Sequence, residues 1–152
     1  MAEWRDASPV KILEIETPRG PARVHLHPAD APPAALVLGH GAGGGVEAPD
    51  LVAARDAALS EGISVALVEQ PYRVAGRRSP PAAPQLDTAW TAVVEALRAN
   101  ELSGLPLIVG GRSLGARGLE FLMGYYPILD RAPKGRDEGD ASQTWIRRHD
   151  EY

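Results

Sequence analysis

Apolar and polar residues alternate from Val10 to Glu16 and again from Ala22 to His27. A period of two marks strands with one face buried. The turn formers Thr17-Pro18-Arg19-Gly20-Pro21 lie between the two runs, which predicts a β-hairpin. After a loop at Pro28 to Pro33 the pattern changes. Ala34 to Leu38, Ser64 to Glu69 and Pro106 to Gly110 are short, continuously apolar runs, as expected of strands covered on both faces. Ala48 to Glu61 reads as a helix with Gly62 at its C-terminal cap. Gln70 to Pro84, holding Arg73, Arg77 and Arg78, reads as an extended proline-rich loop. Leu86 to Asn100 places Leu86, Trp90, Val93, Val94 and Leu97 on one face of a helix. A hairpin followed by alternating strands and helices predicts an α/β fold with a mainly parallel, right-handed crossover sheet.

The last quarter of the chain differs in character. Leu119 to Met123 can continue a helix after Ser113, and Tyr125 to Leu129 is a short apolar run. Asp130 to Ser142 is charged and rich in turn formers, and Gln143 to Tyr152 is expected to make one or two amphipathic turns around Trp145 and Ile146. No further buried parallel strand is expected. The expected division is a partial α/β domain over residues 1–124 and an atypical tail over 125–152, as a truncated, frameshifted or fused reading frame would give. Leu105 to Gly110 would then be an apolar sheet edge, a template for self-association, with Tyr125–Leu129 as its available cover.

Composition narrows the chemistry. A chain of 152 residues is one domain by length. A net charge of −4 with no dense basic stretch argues against nucleic acid as a partner. With no cysteine, disulfides, thiolate metal sites and a cysteine nucleophile are excluded. No apolar run reaches the length of a membrane span, and Met1 to Asp6 lacks the layout of a signal peptide. The expectation is a cytoplasmic protein with no membrane partner, no cofactor and no metal.

Two glycine-rich segments follow apolar strands. Gly111-x-Ser113-x-Gly115 has a strand before it and a helical pattern after it, the context of a nucleophile elbow. Small residues on either side of the serine let strand and helix approach closely enough for the sharp turn. A plain strand-to-helix turn whose serine caps the helix is the simpler alternative. Gly39-His40-Gly41-Ala42-Gly43-Gly44-Gly45 can turn backbone N–H groups toward a ligand without side-chain obstruction. With Ser113 as nucleophile, the N–H of Leu114 and one from Gly41 or Ala42 would form an oxyanion hole. Gly39-x-Gly41-x-x-Gly44 followed by Glu69 also fits a dinucleotide fingerprint, though this strand comes third and the fingerprint leaves Ser113 unexplained.

A serine nucleophile needs a base, and the base is the weak point. His25 and His27 share a strand face, and His40 sits in the glycine loop, where it is expected to shape that loop. Only His149 follows Ser113, with Asp130, Asp137 and Asp140 between them, so the order Ser, Asp, His is formally met. The expected function is therefore a serine-hydrolase-like domain with an incomplete triad, acting on a small ester-like substrate if active. The alternative is a non-catalytic, truncated or interaction module.

Leu38 to Gly44, Val68-Glu69-Gln70-Pro71-Tyr72-Arg73, Gly76-Arg77-Arg78 and Gly110 to Arg117 together resemble the α/β-hydrolase fold. More narrowly, they resemble its dienelactone-hydrolase-like branch, related to the third subunit of the NSL chromatin complex. The likeness spans roughly residues 10 to 117. It implies the strand order 1-2-4-3-5 counted from Val10, Ser113 as nucleophile, and hydrolysis of an ester-like substrate.

Overall fold

The computed structural model describes residues 9–112 and the strand at 144–148. The predicted hairpin forms from β1 (Lys11–Thr17) and β2 (Gly20–His27), paired antiparallel with Thr17 opposite Gly20. Its turn is held by side chain as well as backbone. The Thr17 hydroxyl donates to the Gly20 carbonyl at 2.7 Å and accepts from the Arg19 N–H at 3.0 Å. There follow β3 (Ala35–Gly39), α1 (Pro49–Ser60), β4 (Ser64–Glu69), α2 (Pro71–Val74), α3 (Ala83–Ala99), β5 (Leu107–Arg112) and β6 (Thr144–Arg148).

These strands form one mixed sheet in the order β1-β2-β4-β3-β5-β6. The first five follow the 1-2-4-3-5 order that the family resemblance implied. β4, β3 and β5 are parallel, while β2 joins β4 and β6 joins β5 antiparallel.

Alternate residues of the central strands feed two cores, because successive side chains leave a strand on opposite faces. Leu36 and Leu38 of β3 and Val65 and Leu67 of β4 cluster with Leu51, Ala54 and Ala58 of α1. Ala35, Val37, Ala66 and Val68 belong to the other core, with Trp90, Val93, Val94 and Leu97 of α3. Leu13 and Ile15 of β1 pack against that second core. The alanines of β2, β3 and β4 at positions 22, 35 and 66 are fully buried there, so small strand residues share the face that takes the large indole. α1 and α3 thus cover opposite faces of the sheet.

Two expectations are corrected. Gln70 to Pro84 is not all loop: α2 occupies Pro71–Val74, and α3 begins at Ala83. Both starts place proline in the first helical positions, where its missing N–H costs nothing and its fixed φ suits the helix. The region from Gln143 contains a strand, not amphipathic helical turns. β6 pairs with β5 from Ile108 opposite Arg148 to Arg112 opposite Thr144. The open backbone edge of β5 offers a ladder, and β-branched and aromatic residues favour joining one. The edge cover is therefore at 144–148, whereas Leu119–Met123 and Tyr125–Leu129 lie outside the described residues.

Candidate active site

The sheet order sets the site. β3 runs through α1 to β4 on one side, and β4 runs through α3 to β5 on the other. The carboxyl ends of β3 and β5 therefore flank a topological switch point, where open α/β sheets bind ligands. The register is in phase: Leu38 lies opposite Gly110 and Gly39 opposite Gly111. The glycine loop leaving β3 and the chain leaving β5 thus start side by side at one edge. Gly41 and Ala42 are described. Ser113, Leu114 and His149 lie outside the described residues, as do Asp130, Asp137 and Asp140.

The loop is fastened through its carbonyls. His40 is buried, at 1% exposure. Its Nε2 accepts from the Gln70 N–H at 3.1 Å, so its Nδ1 carries the proton and donates to the Gly41 carbonyl at 2.8 Å. The Gly44 N–H also donates to that carbonyl, at 3.2 Å. The Tyr72 hydroxyl donates to the Ala42 carbonyl at 3.1 Å. The His40 and Tyr72 rings lie with centroids 5.9 Å apart and planes tilted by 60°. The carbonyls of Gly41 and Ala42 are engaged, whereas the N–H groups of Ala42 and Gly43 donate to no described residue. Arg73, half-buried, brings a cation to the same loop: its Nη2 lies 3.8 Å from where a Cβ on Gly45 would sit.

Burial pushes the His40 imidazole below its usual range, and Arg73 adds to this; the Gly41 carbonyl and Glu69 act in the opposite sense. With both ring nitrogens bonded, His40 is a structural strut of the loop, as its sequence position suggested. Tyr72 is pushed up by burial, with Arg73 opposing. His25 is on another face of the sheet from the α3 core and binds Glu69: Nε2 lies 3.2 Å from Oε2, and Arg23 Nη1 is 3.7 Å from the same oxygen. One oxygen of the carboxylate that a dinucleotide ribose would need is thereby engaged. α1 begins only at Pro49, beyond the glycine run, so its N-terminus does not open on that fingerprint. No group of metal-ligating side chains occurs among the described residues. No described helix is long and apolar enough to cross a membrane.

Sequence reasoning found the glycine loop and quoted Gln70 and Tyr72 only within a family motif, without their role as its anchors. Gln70 and Tyr72 are each thirty residues from their partners. The cue available was a buried strand ending in a proline-started turn.

A family model described as an alpha/beta hydrolase domain matches residues 32–123, more than half of the chain. The chain belongs to the alpha/beta hydrolase domain family. A second family model, described as a bacterial protein of unknown function, matches residues 110–152. No curated protein sequence matches the chain. Among solved structures, this hydrolase domain resembles an α/β serine hydrolase without a lid from Xanthomonas campestris. The TM-score is 0.61 and the identity 19%, over 79% of this chain and 58% of that one. An α/β serine hydrolase homologue from Coxiella burnetii gives a TM-score of 0.64 at 13% identity, over 76% and 58%. A thermostable carboxylesterase cloned from a metagenomic library gives 0.58 at 24% identity, over 80% and 43%. At these identities the likeness speaks for the fold alone. The chain spans 58% of the first two structures.

Proposed function

We propose that this chain is a serine-hydrolase-like domain for an ester-type substrate, with Ser113 as nucleophile and an incomplete triad. The N–H of Leu114 and those of the Gly41–Ala42 segment serve as oxyanion donors. The reading rests chiefly on one observation: Gly39 lies opposite Gly111 in parallel register, so the glycine loop and the Gly111-x-Ser113 segment leave the sheet together. The anchored loop carbonyls support it, since a fixed backbone holds its donors preorganised for developing charge. The branch is that of the dienelactone-hydrolase-like proteins related to the NSL subunit, on the motifs at residues 38–44, 68–73 and 110–117. Residues 1–124 form the hydrolase part and 125–152 an atypical tail that lends β6 to the sheet, a division in keeping with two family matches that overlap only over residues 110–123.

His149 is the candidate base by chain order alone: β6 runs antiparallel to β5 and ends with Arg148 opposite Ile108, so the strand leads away from the carboxyl edge that Arg112 reaches. His40 has both ring nitrogens committed and His25 is engaged by Glu69, which favours a second, non-catalytic reading of the chain. Attack without a base forfeits roughly 10²–10⁴-fold in rate. Labelling with a fluorophosphonate, followed by intact mass, separates the readings. Slow stoichiometric addition that disappears in Ser113→Ala is expected, with ester turnover weak or absent. No addition at all overturns the nucleophile assignment. Rapid addition with robust turnover, lost in His149→Ala, means that the triad is complete.

A further inference from the structure

The same sheet edge carries a concavity that the hydrolase reading does not use. β2 runs antiparallel to β4 with Arg23 opposite Glu69, so the β1–β2 turn hangs over the carboxyl end of β4. Between that turn, α2 and the start of α3 lies a pocket of about 580 Å³. This volume is in the range of small-molecule sites, roughly 300–1,000 Å³.

Its chemistry is one-sided. Arg19 lines it from the hairpin turn and Arg77 from the segment after α2, and no acidic residue contributes among the described lining residues. Neither arginine has an ion-pair partner among the described residues. Both sit on fixed backbone. The Arg19 N–H is bound by the Thr17 hydroxyl, and the Arg77 N–H donates to the Tyr72 carbonyl at 2.9 Å. The apolar side of the pocket is supplied by Leu86 and Ala89 of α3, both buried, with Tyr72 alongside.

Two guanidinium groups that have no ion-pair partner among the described residues line one concavity and focus a positive potential into it. An anion is favoured there, and a planar carboxylate matches the guanidinium fork. The apolar wall favours an anion that carries a hydrocarbon body. We propose that this pocket binds a small carboxylate with an apolar body, its carboxylate held by Arg19 and Arg77 and its body against Leu86 and Ala89. The site stands whether or not Ser113 reacts.

Hexanoate and phenylacetate are suitable probes, followed by ligand-observed NMR and calorimetry on the full chain. Both are expected to bind and to weaken as salt is raised. Neutral hexanamide is expected to bind about tenfold more weakly or worse, and inorganic phosphate, lacking a body, likewise. Arg19→Gln and Arg77→Gln should each weaken hexanoate several-fold, and the double variant should abolish binding. The melting temperature should not change, since both side chains are exposed. Binding in Ser113→Ala should equal that of the wild type, which separates this result from the fate of the nucleophile. The proposal is overturned if neither carboxylate binds at millimolar concentration, or if the amide or phosphate binds as well as hexanoate. Unchanged hexanoate affinity in the double arginine variant also overturns it.

Discussion

At the scale of single residues, His40 ties the glycine loop to the sheet through two bonds that require opposite roles of its ring nitrogens. Nε2 accepts from Gln70 while Nδ1 donates to Gly41, an arrangement open only to neutral imidazole. Burial, then Arg73, depresses its pKa below the usual 6.5. The unfolded chain therefore takes up the proton first as pH falls. The stability that neutral His40 contributes is fully present above about pH 6.5 and is lost as pH drops below it toward the folded value. His27 has the same sign, lowered by burial, then by Arg55 and His25, with Asp56 opposing. Urea midpoints measured on either side of pH 6.5 should thus show lower stability on the acid side. His40→Asn leaves the Gln70 N–H without its acceptor, a cost of about 1–3 kcal/mol at neutral pH. It should also flatten the acid slope to the His27 part. An unaltered slope in that variant would show that the loss comes from elsewhere.

Among the elements, α3 is the clearest case of pattern becoming structure. Its five predicted positions are all buried, together with Ala89. Trp90 is the largest of them, at 2% exposure, and its indole N–H has no hydrogen-bond partner among the described residues. Trp90→Ala is expected to cost about 3–5 kcal/mol through the cavity it leaves. Both variants remove the indole N–H, but Trp90→Phe leaves a smaller cavity, so it should cost clearly less than the alanine variant. Denaturant unfolding of the two variants checks this; equal costs would mean that the volume of the ring is not what Trp90 contributes to the core. The hairpin strands and α3 were legible because their spacing repeats, and β3 to β5 because their apolar runs are short and continuous. α1 was legible for a different reason: only Leu51 is buried, and its boundary is set by Pro49 and by Gly62 at φ +75°. There, Gly62 N–H bonds Leu59 and Ile63 N–H bonds Ala58, closing the helix end. α2 has only four residues, too few to show a period, and β6 is recruited by a partner strand rather than by its own pattern. The site divides in the same way. The glycine loop is local and visible in the sequence, whereas its anchors at Gln70 and Tyr72 depend on β3 and β4 being neighbours.

For the whole molecule, the two edges of the sheet are protected differently. β1 ends one side and exposes Val10 and Ile12, at 47% and 56%, but Lys11, Glu14 and Glu16 intersperse charge along it. Charged side chains of this kind discourage edge-to-edge pairing. β5 has no such guard, since Leu107-Ile108-Val109 runs without a charge and its outer backbone is paired instead with β6. Removing residues 125–152 takes β6 away and leaves those backbone donors and acceptors beside β-branched side chains. The shortened chain is therefore expected to self-associate through β5, and the full chain to do so less. Size-exclusion chromatography with light scattering compares the two directly. A shortened chain that remains a clean monomer, with the same sharp melting transition, would show that β6 is dispensable as an edge cover. Association in both chains alike would point instead to β1, where replacing Ile12 by lysine should then restore the monomer.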